Sequence, residues 1–189
     1  MQNIEPFDRW RKLYKSEEDS RSPFFGRQYH DTLCTHTIYN YYIHPQWDAF
    51  GSDTLYVKIL FVDYKTRFAV LEFLGEWNDC LYNDIMFLKR DVIEPLIEAG
   101  IQHFVLMGQN VLDFHASDDA YYEEWFDDVE DGWIVGIGFR DHVLKEFETQ
   151  RIDFYIALGE PFTDIPWRRF APQKLFELVD QLVMKRLTP

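Results

Sequence analysis

Apolar and polar residues change their period several times along this chain, and each change predicts an element. Over residues 5–18, Phe7, Trp10 and Tyr14 recur at spacings of three and four, which predicts a short helix with one aromatic face. Glu17 to Pro23, reading EEDSRSP, follows as a loop. From Thr32 onward, β-branched and aromatic residues predict strands over 32–43, 54–63 and 67–74. The short link Asp63-Tyr64-Lys65-Thr66 makes the last two an antiparallel hairpin. In the second strand Leu55, Val57, Ile59 and Phe61 share one face and Lys58 lies on the other, while the third sets Ala69, Leu71 and Phe73 opposite Glu72. That alternation predicts a sheet with one face more deeply covered.

After Trp77 the spacing becomes helical, with Ile85, Leu88, Val92 and Leu96 recurring, Ile93 and Ile97 beside them, and Gly100 placed as a C-terminal cap. Pro95 interrupts this pattern. Lacking an N–H, it should bend the helix or divide it after Arg90. Strand-like runs at 103–108 (HFVLMG), 133–139 (WIVGIGF) and 153–159 (DFYIALG) then alternate with amphipathic segments 117–130, 140–150 and 172–187. Alternating β and α implies crossovers, parallel pairing and helices on the faces of the sheet. The expected fold is α/β with a single mixed sheet, antiparallel at its first strands and parallel after residue 100. Residues 1–31 are expected to pack on the 32–189 domain as an aromatic-rich extension.

Composition narrows the function classes. At 189 residues with 47% hydrophobic content, the chain has enough apolar material for one sizeable core, which excludes intrinsic disorder. A formal charge of −14 repels phosphate backbones and anionic lipid, so neither nucleic acid nor a membrane is an expected partner. The start, MQNIEPFDRWRKLY, has no apolar core of a signal peptide. Two cysteines, Cys34 and Cys80, are too few for a disulfide framework and fit a reducing compartment, so a cytoplasmic setting is expected. No cofactor or metal is expected. With 18% aromatic residues, many of them early in the chain, much ring surface needs burial or a partner.

Several segments carry candidate chemistry. Asp118 to Asp131 holds eight carboxylates, with Tyr121, Tyr122, Trp125, Phe126 and Val129 between them at helical spacing. Its functional reading is an anionic docking face, in which Ser117, Asp127, Asp128 and Asp131 are the candidate partner-binding residues. An amphipathic helix with a solvated outer face accounts for the same spacing, except for the late acids, which a helix C-terminus disfavours. Gly136-Ile137-Gly138-Phe139-Arg140 links a predicted strand to a predicted helix. With Asn110 it forms a candidate anion site, although the third glycine of a dinucleotide fingerprint is missing and helix–strand packing explains the same glycines. Asp113, His115 and Ser117 have the residue types of a hydrolytic triad but sit two apart in one segment, where Ser117 reads more simply as a helix cap. His36 and His44 lack neighbouring ligands at metal spacing, and Trp167-Arg168-Arg169-Phe170 is the one compact basic and aromatic cluster.

Across residues 67–159, the order of elements resembles the STAS domain, the sulfate-transporter and anti-sigma-factor-antagonist fold. In this resemblance His103-Phe104-Val105-Leu106 is the strand, Val111-Leu112-Asp113-Phe114 the loop that delivers a regulatory site, and Ser117 the cap of the next helix. The family's Asp-Ser-Ser/Thr-Gly string corresponds to His115-Ala116-Ser117-Asp118, which keeps one hydroxyl. The resemblance implies a non-enzymatic regulatory or protein-interaction module that docks through the surface around the helix starting near residue 117. One alternative is a binder of small anions or nucleotides, or an enzyme, using the crevice at the C-terminal ends of the parallel strands, where Gln109, Asn110, Gly138, Arg140 and Glu160 would gather. Another is a structural homo-oligomer that pairs through Tyr39 to Tyr42.

Overall fold

The computed structural model describes residues 2–30, 32–34 and 36–187. Met1 and Asp31 of the expected extension, Thr35 of the expected first strand, and the last two residues lie outside these. Four strands, β4 (Leu55–Asp63), β5 (Phe68–Asn78), β6 (His103–His115) and β7 (Trp133–Ile137), form the main sheet in the order β4-β5-β6-β7. β4 and β5 are antiparallel, and β5-β6 and β6-β7 are parallel, so the mixed α/β sheet is as the sequence predicts. The expected first strand over 32–43 does not join it. That segment turns back at Tyr39, whose φ is positive, and pairs β2 (Thr37–Ile38) with β3 (Tyr41–Ile43). β3 also pairs with β1 (Gln2–Ile4), making a second, three-stranded sheet.

Both faces of the main sheet are buried, as expected for its parallel part, and the burial extends along β4 and β5, where alternation predicts one face more deeply covered. On the first face Leu55, Val57, Ile59, Leu71, Phe73, Phe104 and Leu106 pack beneath helices. These are α1 (Asp79–Tyr82), α2 (Asp84–Leu88), α3 (Glu94–Glu98), α4 (Ala120–Asp128) and α5 (Asp141–Thr149). The second face, with Phe68, Val70, Val105, Met107 and Val135, is covered by the N-terminal segment, Trp167 and helix α6 (Pro172–Leu187). A bulge at Leu60 shifts the β4 register, so Phe61 leaves the Leu55–Val57–Ile59 face and joins Phe68 on the second. Alternation alone assigns Phe61 to the wrong side.

Two further elements depart from the sequence pattern for local reasons. Between α2 and α3, Lys89–Ile93 form a π-helical turn immediately before Pro95. In a regular α-helix the proline ring would meet the carbonyl of Asp91, and the wider turn lets the chain continue instead of breaking after Arg90. Residues 153–159 are not a strand. Ile152–Phe154 form a 3₁₀ turn, and only Ala157 bridges to Val135, through Gly136 N–H to Ala157 O and Ala157 N–H to Ile134 O. Residues 5–18 likewise form successive turns instead of a helix, although Trp10 is buried as the spacing suggests.

Trp10 ties the N-terminal segment to the second face. Its indole N–H donates to the Phe170 carbonyl at 3.1 Å, and its ring meets Phe7, Phe61 and Trp167 edge-on. Trp10→Ala should therefore cost about 3–5 kcal/mol, the range for a large core truncation. Urea unfolding measures it, and a loss below about 1 kcal/mol would mean that the segment is peripheral to the core.

Candidate functional site

The crevice at the C-terminal ends of the parallel strands is filled by an aromatic ring. A Cβ added at Gly108 would lie 2.3 Å from the Phe139 ring, and one at Gly136 would lie 2.4 Å from Leu158 and 2.8 Å from Phe139. These glycines make room for Phe139. Gly138 has a positive φ and turns the chain toward α5. Arg140 is exposed, and its side chain makes no hydrogen bond or ion pair among the described residues, while Asn110 Nδ2 points toward Glu72 Oε1 at 3.5 Å. Asn110 and Arg140 thus serve different surroundings. Gln109 and Glu160 are exposed.

Helix α4 divides its acids between an internal and an external role. Lys89, wholly buried in the π turn, donates to Asp128 Oδ2 at 2.8 Å, Glu94 Oε1 at 3.1 Å and Glu124 Oε1 at 3.3 Å. Burial opposes the charged amine, but these three carboxylates outweigh it and raise its pKa. Arg90 adds bonds to both oxygens of Glu124 and to Glu94. Asp128, which the α4 dipole disfavours, is therefore held by a buried cation. Asp127 and Asp131 are exposed and, like Glu123, make no ion pair among the described residues. Ser117 is exposed and does not cap α4. Asp119 occupies the N-cap position, and Asp118 Oδ1 accepts the Ala120 N–H at 3.1 Å.

Of the apolar residues on α4 and at its C-cap, Tyr122, Trp125 and Val129 enter the core, whereas Phe126 faces outward and is 44% exposed. Its ring packs on Tyr155 at 6.0 Å between centroids, and the Tyr155 hydroxyl donates to Asp119 Oδ2 at 3.0 Å. Phe154, next in the chain, is 73% exposed. The pKa of the Tyr155 hydroxyl is raised, first by its bond to Asp119, then by desolvation and the Asp119 charge, with smaller contributions from Glu123 and Asp127. An uncovered aromatic with an acidic rim is the chemistry of a contact surface.

A second polar centre lies inside the sheet, where the pattern suggested solvent. Lys58 and Glu72 stand opposite each other in the β4–β5 ladder, and both are buried. Lys58 donates to Asp48 Oδ2 at 3.3 Å and lies 3.8 Å from the centre of the Tyr29 ring. Asp48 also accepts from the Tyr29 hydroxyl at 2.6 Å and from Arg27 at 3.0 Å. Burial lowers the Lys58 pKa and raises that of Asp48, each shift opposed by the partner's charge. Glu72 accepts the Phe7 N–H at 2.8 Å and lies 3.5 Å from an Arg168 nitrogen. Neither residue stands out in sequence, because alternation shows which face a side chain takes but not what covers it.

Two of the triad types meet, His115 Nε2 lying 3.4 Å from Asp113 Oδ2, but among the described residues Ser117 bonds to neither. Among the described residues, no group of three His, Cys, Asp or Glu side chains is placed to hold a metal, and no helix is long and apolar enough to cross a membrane.

Two predictions follow from these charges. Asp128→Asn should cost about 1–3 kcal/mol by weakening a bond to a buried cation, whereas Asp127→Asn should stay within about 0.5 kcal/mol, and paired urea titrations compare them. Burial pushes the carboxyls of Glu72 and Asp79 up to about 7, against the Phe7 N–H at the first and the Tyr122 hydroxyl at the second. Their unfolded values lie near ~4, so their stabilising contribution is complete below that pH and is lost as the pH rises through the folded value. Stability should fall between about pH 4 and 7 on their account, and Glu72→Gln should flatten its share of the slope. A variant curve parallel to wild type would show that Glu72 does not titrate there. Neither a protein-family model nor a curated protein matches the sequence, so the functional reading is carried by the geometry above.

Proposed function

We propose that the chain is a non-enzymatic interaction module whose α4 face docks a basic segment of a protein partner, in a cytoplasmic setting. The observation that carries this reading is Phe126, exposed on Tyr155 among Asp119, Glu123 and Asp127. A ring in that position offers an apolar anchor, and the carboxylates around it select Lys or Arg on the partner. The overall charge of −14 adds long-range attraction for the same partner. The STAS-like resemblance also sets a docking surface around the helix that follows the third main-sheet strand, although Val111–Phe114, the loop it implies, continue β6, and residues 153–159 form no strand. With Phe139 seated on Gly108 and Gly136, the strand-end crevice offers an anion little room, which disfavours the ligand-binding alternative.

The test uses arrays of peptides that carry Lys or Arg next to an aromatic or aliphatic residue. Binding should weaken at least about tenfold in Phe126→Ser and several-fold in Asp127→Asn, and its association rate should fall with salt. Arg140→Ala should leave it unchanged. Peptide binding indifferent to Phe126 and Asp127, or an Arg140-dependent thermal shift with nucleotides or inorganic phosphate, would replace this reading with the ligand-binding one.

A further inference from the structure

The N-terminal segment does not seal the second face completely. Between residues 5–17, the His44–Gln46 turn and the start of β4 lies a half-open cleft of about 260 Å³, with Lys58 in its wall. This is below the roughly 300–1,000 Å³ of sites for drug-sized ligands, so its occupant is small. Its charged groups are mixed in sign: Glu5, Asp8 and Glu17 against Arg11, Lys15 and Lys58, with His44 beside them.

The bonding within the cleft is incomplete on both sides. Glu17 Oε1 takes the Arg11 guanidinium at 2.6 Å, but Glu17 Oε2 is buried without a hydrogen-bond partner. Ser16 is wholly buried beside the Tyr29 hydroxyl, and among the described residues neither its Oγ nor Glu17 Oε2 makes a hydrogen bond of normal geometry. These two atoms call for a donor. Arg11 uses one of its five N–H groups, on Glu17, and Lys58 bonds only Asp48. Those remaining N–H groups call for an acceptor. Arg11, Ser16, Glu17 and Lys58 all line this one cleft, so the two needs fall in one small space. A simple anion would leave Glu17 Oε2 unmatched and repelling it, and a simple cation would face Lys58 and Arg11.

We propose that this cleft binds a small zwitterion of the α-amino-acid class, its ammonium on Glu17 Oε2 and Ser16 Oγ and its carboxylate on Arg11 and Lys58. A ligand carrying both charges meets the buried Glu17 Oε2 and Lys58 and the partly exposed Arg11 at once. The site is separate from the α4 face and does not depend on that reading.

The experiment titrates the full chain with the common free L-amino acids, each beside its α-amide and its N-acetyl form, by calorimetry and thermal shift. At least one free amino acid should bind at concentrations up to about 10 mM, with each capped form at least about tenfold weaker. Glu17→Gln should weaken it to a similar extent, and amide chemical-shift mapping on wild type should place the changes at residues 11–17 and 58. The map keeps the test valid if the variant does not fold. No binding by any free amino acid, equal binding by capped forms, or shifts confined to α4 would overturn the proposal and leave the cleft as a water site.

Discussion

Lys58 and Glu72 face each other across the β4–β5 ladder on a face that is otherwise apolar, and the architecture around them follows from the need to satisfy two buried charges. An unpaired ion inside a protein costs several kcal/mol, and truncating one partner of a buried pair leaves that penalty exposed. Five separate parts of the chain supply the solution: Tyr29 and Asp48 from the loops before β4, the Phe7 backbone, Asn110 from β6 and Arg168 from the turn before α6. The N-terminal segment is therefore more than an aromatic cover. Its Phe7 N–H is the closest donor to Glu72, and Trp10 fixes its position against Phe170.

The acid excess is partitioned by the same logic. On the opposite face Lys89 gathers Glu94, Glu124 and Asp128, so part of the negative charge serves to stabilise a wholly buried ammonium. The widened turn before Pro95 carries that lysine, which joins a backbone accommodation to an electrostatic one. What remains on the surface of α4 is the subset without a cation among the described residues, including Glu123 and Asp127, three residues before and one residue after Phe126 on the same helix. The late acids of the helix, unfavourable by the dipole argument, thus have two explanations. Asp128 is compensated from within; Asp127 and Asp131 are not.

Much of the fold was legible in the sequence, because strong periodicity survives tertiary packing. Helix α6 begins and ends where its apolar spacing placed it, and the β4–β5 hairpin differs from expectation mainly by the Leu60 bulge and a longer β5. Short apolar runs were harder to read. DFYIALG has the composition of a buried strand, yet Ile152, Ile156 and Leu158 are buried from a turn and a single bridge, which periodicity cannot distinguish. The acidic helix was visible as a segment, but its division was not, since Lys89 lies more than thirty residues upstream in a stretch that reads as ordinary helix. The cleft had no sequence signal at all. Its groups come from turns and β4, and only the incomplete bonding of Ser16 and Glu17 marks them.

The two surfaces lie on opposite faces of one sheet, and β5 bonds or packs with elements that carry each of them. Glu72 points to the N-terminal side, while Trp77 and Asp79, at and just beyond the end of the same strand, pack with and bond to Tyr122 of α4. A packed central strand is stiff, and coupling between sites requires an element with two discrete arrangements that both sites bias. β5 is buried along nearly its whole length and paired on both sides, so it offers no second arrangement. The part of the N-terminal side with fewer constraints is residues 5–17, a run of turns without helix or strand, held by Trp10 and the Phe7 N–H. If the cleft is occupied as proposed, the effect falls on that segment's own ordering and ends at the sheet, and the α4 face keeps the same conformation whether the cleft is filled or open.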